Sequence, residues 1–316
     1  MDTGNADFKG PWAMSRAELA EAGITAGRLR SALARGELVR IRRGVYATAA
    51  LAPRRLHLLS GGHPDPAYLE QVRAALIALG GAAAAAGRTA AVLWGFDLVV
   101  EPAAIEVHAA PGRTHAAMAG VLLHARSLVD TEVRDLAGHR PVRVLTPVAT
   151  VLDCAASRPL HEAVAVADSA MRLGAVTVDQ LTEAVQARRG QPGARRLRRV
   201  LALVDPACES VLESLLRVLL AQHGIALGRS QYVIRTPGGQ TIARADFAWP
   251  EVMLMLECDG QRWHDPDDAR ARDRRRDNEA ARLGWRVLRI TWDDVVNRPA
   301  YVVALVRDAL TAELAA

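Results

Sequence analysis

Apolar positions recur along this chain with two periods, and the switches between them mark its elements. In SRAELAEAG the apolar residues fall at helical spacing, opened by Ser15 with Glu18 three residues on and stopped by Gly23. Thr25 opens a second helical stretch, AGRLRSALARG, which Gly36 ends, and LVRIRRGVYA then alternates as a short ribbon turning at Gly44. After a Pro- and Gly-containing stretch over 53–66, residues 68–79 and RTAAVLWGFDL read as helices. AIEVHAA, VLLHARS and PVRVLTP read as strands, the last leading into ATVLDCAAS. LHEAVAVADSAMRLG and TVDQLTEAVQA have apolar residues at i, i+3, i+4 and i+7, the mark of amphipathic helices.

From 206 onward the order is tighter. ESVLESLLRVLLAQHG predicts a helix, and QYVIRTPGGQTIARADFAW a hairpin with Pro237, Gly238 and Gly239 at its turn. VMLMLECDG predicts a strand, 267–283 a helix, WRVLRI a strand and AYVVALVRDALTAEL a final helix. The pattern predicts an α/β (α+β) chain in three parts. These are a winged helix-turn-helix over 1–50, a mixed α/β scaffold over 67–204, and a mixed sheet flanked by helices over 206–316.

Charge sharpens this picture. The net charge is +5 and the sequence pI about 9.6, with Lys9 the sole lysine, so the cations are arginines and an anionic partner is expected, nucleic acid first. In the N-terminal part, Arg28, Ser31 and Arg35 fall on or near one face of the second helix, with Arg40, Arg42 and Arg43 in the ribbon. In this plan the second helix enters a major groove and the wing follows phosphates, which makes these six the candidate DNA contacts. A second arginine run, RRGQPGARRLRR over 188–199, contains no acid and reads either as a phosphate-tracking face or as a solvated helix surface. Cys154, Cys208 and Cys258 are far apart and odd in number, which suggests no disulfide framework. No signal peptide or apolar run of membrane-spanning length is evident, so a cytoplasmic protein with no membrane partner is expected.

The chemistry concentrates over 243–290. Asp246 ends one β-like run, and the next delivers Glu257 and Asp259, which strand alternation turns to the same face. His264 follows in a loop, and the helix after it carries Arg270, Arg272, Arg274, Arg275 and Arg276. Clustered carboxylates suit a hard cation, and a nearby histidine can move the proton of an attacking water. The histidines of the middle region, His108, His115, His124, His139 and His161, show no ligand spacing, and Asp153 and Asp168 read as caps or ion-pair partners.

Two resemblances follow from these residues. LAEAGITAGRLRSALARGELVRIRRGVYA is similar to the N-terminal domain of the AbiEi-type antitoxins. ADFAWPE, LECDGQRWH, RDRRRD and LGWRVLRITWDDV together resemble the PD-(D/E)XK nucleases, and within them the Vsr-like, very-short-patch-repair group. That second resemblance implies a restriction-endonuclease-like fold for the last third of the chain. It also implies catalytic roles for Asp246, Glu257, Asp259, His264 and Glu213, with Mg²⁺ or Mn²⁺ on Asp246, Glu257 and the backbone of Cys258. Trp263, Arg272 and Arg276 would lie along nucleic acid. The sequence departs from the pattern in having Asp259 at the usual lysine, Cys258 at a threonine and Trp263 without its aromatic neighbour. It also lacks that group's zinc ligands, so zinc is not expected. The leading expectation is a DNA-binding protein with a metal-dependent endonuclease domain. The alternative is a non-catalytic repressor or antitoxin whose nuclease-like domain only binds nucleic acid. RNA is a further possible substrate, and a cognate toxin or a second copy a possible partner.

Overall fold

The computed structural model describes residues 13–48, 59–60, 63–80, 83–110, 118–126, 128–137, 142–191, 193–259, 276 and 278–311. The chain divides into two compact units, Met1–Ser157 and Arg158–Ala316, so the stretch 67–204 is shared between them.

The first unit begins with β1 (Met14–Ser15), α1 (Arg16–Glu21), α2 (Ala26–Ala34), β2 (Leu38–Arg42) and β3 (Val45–Thr48). The capping box forms as the sequence implies: the Ser15 N–H donates to Glu18 Oε2 at 2.7 Å, and the Glu18 N–H donates to Ser15 Oγ at 3.1 Å. Gly44, at φ 73°, lets the ribbon turn, and the three strands pair in the antiparallel order β1-β3-β2 over Leu19, Ile24, Leu29, Ala32 and Leu38. A two-residue pairing of β4 (Leu59–Ser60) with β5 (His63–Pro64) precedes α3 (Pro66–Leu79), which starts on an Asp65 cap. This helix ties down the winged module through buried polar groups. The Ala13 N–H donates to Glu70 at 2.7 Å, and Arg73 donates to the Ala13 carbonyl and to Glu18. Burial works against the Glu18 charge, but Ser15 and Arg73 hold its carboxyl below the ordinary value.

The remaining elements of this unit are β6 (Ala83–Ala85), α4 (Gly87–Leu93), β7 (Ile105–Ala109), β8 (Val121–Ala125), β9 (Val133–Asp135), β10 (Arg143–Leu145) and α5 (Pro147–Ser157). They form a mixed sheet in the order β8-β7-β6-β10-β9. Its central strand comes from the alanine run, which carries no strand signal because alanine has low β propensity. Ala84 and Ala85 are fully buried there, so small size at a crowded position decides the outcome instead of propensity.

The second unit comprises α6 (Leu160–Arg172), α7 (Val178–Ala187), α8 (Ala194–Leu201) and α9 (Val211–Gln222), then β11 (Arg229–Arg235), β12 (Thr241–Trp249) and β13 (Leu254–Asp259). A helical segment follows, α10, described over 278–282, then β14 (Arg286–Thr291), α11 (Trp292–Asn297) and α12 (Pro299–Thr311). The order follows the expected α-β-β-β-α-β-α with a short helix, α11, added before the last, and most of the helix expected over 267–283 lies outside the described residues. The sheet runs β11-β12-β13-β14, antiparallel except for the parallel pair β13–β14, as a helical crossover requires. The predicted turn closes with the Thr236 N–H on the Gln240 carbonyl at 2.8 Å, Gly239 supplying φ 87°. Among the described residues no helix is long and apolar enough to cross a membrane.

Helix α9 is held by a buried polar network. Asp168 on α6 accepts from Arg217 Nη1 at 2.9 Å, from Ser214 Oγ at 2.7 Å and from the Asp205 N–H at 2.8 Å. The same Arg217 nitrogen donates to the Leu203 carbonyl at 2.8 Å. Both side chains of the ion pair are nearly inaccessible, at 4% for Arg217 and 0% for Asp168. Removing one partner strands the other charge, so Asp168→Ala or Arg217→Ala should each cost roughly 3–5 kcal/mol in urea unfolding. The apolar pair Asp168→Leu with Arg217→Met should recover most of that loss. Single-variant losses below about 1 kcal/mol would show that the pair does not hold α9.

Candidate functional site

The candidate acids come together where β11, β12 and β13 run side by side and α9 begins. Phe247 pairs with Leu256, which sets Asp246 and Glu257 at the next position along the two strands. On the other side Ser230 pairs with Phe247 and Tyr232 with Ala245, which sets Gln231 opposite Asp246. Glu213 arrives from the first turn of α9, whose N-cap is Ser210.

Gln231 joins two of these acids. Its Nε2 donates to Glu213 Oε2 at 2.9 Å and, more weakly, to Asp246 Oδ1 at 3.4 Å. Asp246 Oδ2 accepts the Cys258 N–H at 2.7 Å. Glu213 also accepts from Ser210 Oγ at 2.7 Å and from the Glu209 N–H at 3.1 Å. No guanidinium bonds to Asp246 or Glu213 among the described residues. Burial therefore dominates and raises both carboxyls above their ordinary values, and Asp246 pushes Glu213 further in that direction. Gln231 has φ 51°, a left-handed conformation rare for a glutamine in a strand, and its Oε1 is buried without a hydrogen-bond partner. Strain and an unmet acceptor beside two desolvated carboxylates mark Gln231 as a residue of the site. Pattern reading passes over it, because a polar residue in an edge strand looks like ordinary solvent-facing alternation.

The other acids are differently placed. Glu257 accepts from Arg276 Nη2 at 2.7 Å, so this candidate phosphate contact is seated on a candidate metal ligand. Asp259 lies at the exposed end of β13, 3.7 Å from Arg289. Burial, reinforced by neighbouring carboxylates, raises the Cys258 thiol well above its ordinary value. The sulfur is thus a neutral thiol, and Cys258 serves Asp246 through its backbone N–H. His264, Trp263 and Arg272 lie outside the described residues. Among those described, no group of three or more His, Cys, Asp or Glu is arranged to hold a metal ion.

In the winged module Arg28, Ser31, Arg35, Arg40 and Arg43 are exposed. Arg35 grips Glu37 through Nε at 2.7 Å and Nη2 at 3.0 Å. Arg42 turns inward instead of out along the wing, its Nη1 donating to the Ala119 carbonyl at 3.1 Å. In the first sheet, histidines that look scattered in the sequence meet. The parallel register of β7 and β8 sets His108 against His124 with ring centroids 5.7 Å apart, and Asp153 comes within 3.4 Å of His108 Nε2. Asp153 also accepts the Gly87 N–H at 3.0 Å and pairs with Arg126 at 3.1 Å. The pairing of β7 with β8, together with Asp153 from α5, assembles this group.

Comparison with known proteins agrees with the two-ended layout. Residues 226–310 match the restriction-endonuclease-like family REase_MTES_1575, and residues 15–49 match the family described as transcriptional regulator, AbiEi antitoxin. The uncharacterized proteins Rv2248 and MT2308 of Mycobacterium tuberculosis are each 31% identical over 271 residues, spanning 85% of this chain and 91% of theirs. The crystal structure of RV2827C protein from Mycobacterium tuberculosis aligns over 72% of this chain and 84% of its own, at 18% identity and a TM-score of 0.40. The chain belongs to the family of Rv2248 and MT2308, and it carries an AbiEi-type N-terminal domain and a restriction-endonuclease-like C-terminal domain.

Proposed function

We propose that this protein binds DNA through its winged helix and hydrolyses phosphodiester bonds, by cutting or nicking, at the carboxylates of its C-terminal domain. The observation that supports this is the pair of desolvated acids, Glu213 and Asp246, bridged by a strained Gln231, with no cation among the described residues bonded to either. Burying ionised carboxylates without a counter-charge is costly, and a divalent ion is the ordinary remedy. Asp246 and Glu257, with the Cys258 carbonyl, would hold Mg²⁺ or Mn²⁺; an all-oxygen donor set suits these hard ions and not zinc. When bound, such an ion polarises the phosphate and lowers the pKa of a coordinated water.

The chain's own groups supply the rest. Gln231 orients Glu213 and Asp246, and the Cys258 N–H fixes the Asp246 carboxylate. Arg276 carries positive charge to the same strand end, where it can neutralise a phosphate once Glu257 turns to other work. His264 is the residue assigned to take the water's proton.

The Arg276–Glu257 pair also favours a second reading, a DNA-binding regulator without turnover. There the arginine would permanently occupy the charge position of a catalytic ion. Cleavage of plasmid and linear duplex with Mg²⁺ or Mn²⁺ separates the two. Asp246→Asn should lower cleavage by on the order of a hundredfold or more while leaving affinity in EDTA unchanged. A parent protein that shifts duplex but cuts it with neither ion is the regulator.

Stability reports on the same acids without relying on turnover. Because the Asp246 carboxyl is raised in the folded state, its ionised form costs stability. That cost is absent below the ordinary carboxylate value of about 4, grows as pH rises towards the folded value, and is fully present above it. Asp246→Asn should therefore raise the Tm by a few degrees at neutral pH without metal, roughly 2–4 °C per kcal/mol, and lose that gain in acid. Added Mn²⁺ should raise the Tm of the parent and not of the variant; equal shifts in both would remove Asp246 from the ion.

For the winged module, Arg28→Ala and Arg43→Ala should each reduce the salt slope of duplex binding by about 0.9. Unchanged slopes would take these side chains off the phosphates. The same titration with RNA duplex reads the substrate class directly.

A further inference from the structure

The arginine run over 188–199 is not explained by the carboxylate site, and the structure gives it a defined shape. Helix α8 buries Ala194, Leu197 and Val200 and leaves Arg195, Arg196, Arg198 and Arg199 exposed. Among the described residues no carboxylate pairs with any of these four; Arg196 donates to the Arg158 carbonyl. Arg195, Arg196 and Arg199 line a cleft of about 650 Å³ with Leu160, Gly193 and Gln222. The helix also starts at Gly193, which borders the same cleft and gives it no side-chain cap.

We propose that this cleft is a phosphate clamp for the backbone of the nucleic acid that the carboxylate site acts on, so it rests on the function proposed above. Guanidinium forks match phosphate oxygens in pairs, and they bind phosphate more selectively than dispersed lysines do. Arg195 and Arg199 are one helical turn apart, a rise of roughly 6 Å, and so present two forks along one line. The cleft is also coupled to the site by α9, which carries Glu213 in its first turn and Gln222 as its last residue. Nine residues of helix separate them by roughly 14 Å. At about 3.4 Å of rise per nucleotide, the clamped phosphate sits on the order of four nucleotides from the scissile one. An acidic protein segment would also be attracted by the charge, but it would not need paired forks at the end of the helix that carries Glu213.

The test uses the full chain and a labelled duplex in EDTA, with binding followed by anisotropy between roughly 50 and 200 mM salt. Arg195→Ala with Arg199→Ala should lower the salt slope by about two units, and Arg195→Gln alone by about one. Arg195→Lys with Arg199→Lys should keep the parent slope, since the charge remains. Footprinting with hydroxyl radicals should show the alanine pair losing protection about four nucleotides from the carboxylate site. An unchanged slope in the alanine pair or in the glutamine variant, at the parent's Tm, overturns the clamp; a cleft that serves an acidic protein would give this result. A parent that binds no duplex overturns the proposed function and the clamp with it. A parent that binds and cuts, with a slope indifferent to the arginines, overturns the clamp alone.

Discussion

The buried contact between Asp168 and Arg217 is the interaction on which the second unit's working parts depend. It fastens α6 to α9 and, through the Leu203 carbonyl and the Asp205 N–H, fixes the segment between α8 and α9. Asp205 in turn takes a hydrogen bond from Ser230 on β11, so the edge of the sheet is tied to the same network. The two ends of α9 have different duties. One delivers Glu213 to the carboxylates, and the other borders the arginine cleft. A buried pair adds little net stability over an apolar substitute, but it punishes any arrangement that leaves one charge unmatched. Here the matched charges hold α9 against α6.

Electrostatics at the strand ends pull in opposite directions. Asp246 and Glu213 are held by neutral donors that offset only part of the cost of burial, which is why both carboxyls rise. Glu257, one strand over, is relieved by Arg276. A site that leaves two acids costly and neutralises the third is poised between recruiting a cation and doing without one. The strained Gln231 belongs to the same balance. Its backbone adopts an unfavourable conformation so that a single amide reaches two carboxylates.

Much of the local structure was readable because its causes are local. Ser15, Thr25, Gly44 and the Pro237-Gly238-Gly239 turn act within a few residues of themselves, and the elements they delimit form as expected. Where the cause was non-local, the pattern was silent. Ala83–Ala85 is a central strand with its small side chains fully or almost fully buried, and the Arg42 side chain turns from the wing because a carbonyl more than seventy residues away accepts its hydrogen bond.

The candidate site divides along the same line. By itself the sequence determined the order of elements, the winged and nuclease-like ends, and the delivery of Glu257 and Asp259 on one strand, since alternation and turn chemistry depend only on neighbouring residues. Asp246, expected to end its strand, lies instead within β12, because the strand runs on to Trp249 in its pairing with β13. Tertiary structure alone decided which of those acids are buried and which partner each one meets. It seated Arg276 on Glu257, gave Asp259 to Arg289, made Gln231 the bridge, and gathered arginines already adjacent in sequence into a cleft. Desolvation and charge pairing arise from what the folded chain packs together, and no spacing along one strand can encode them.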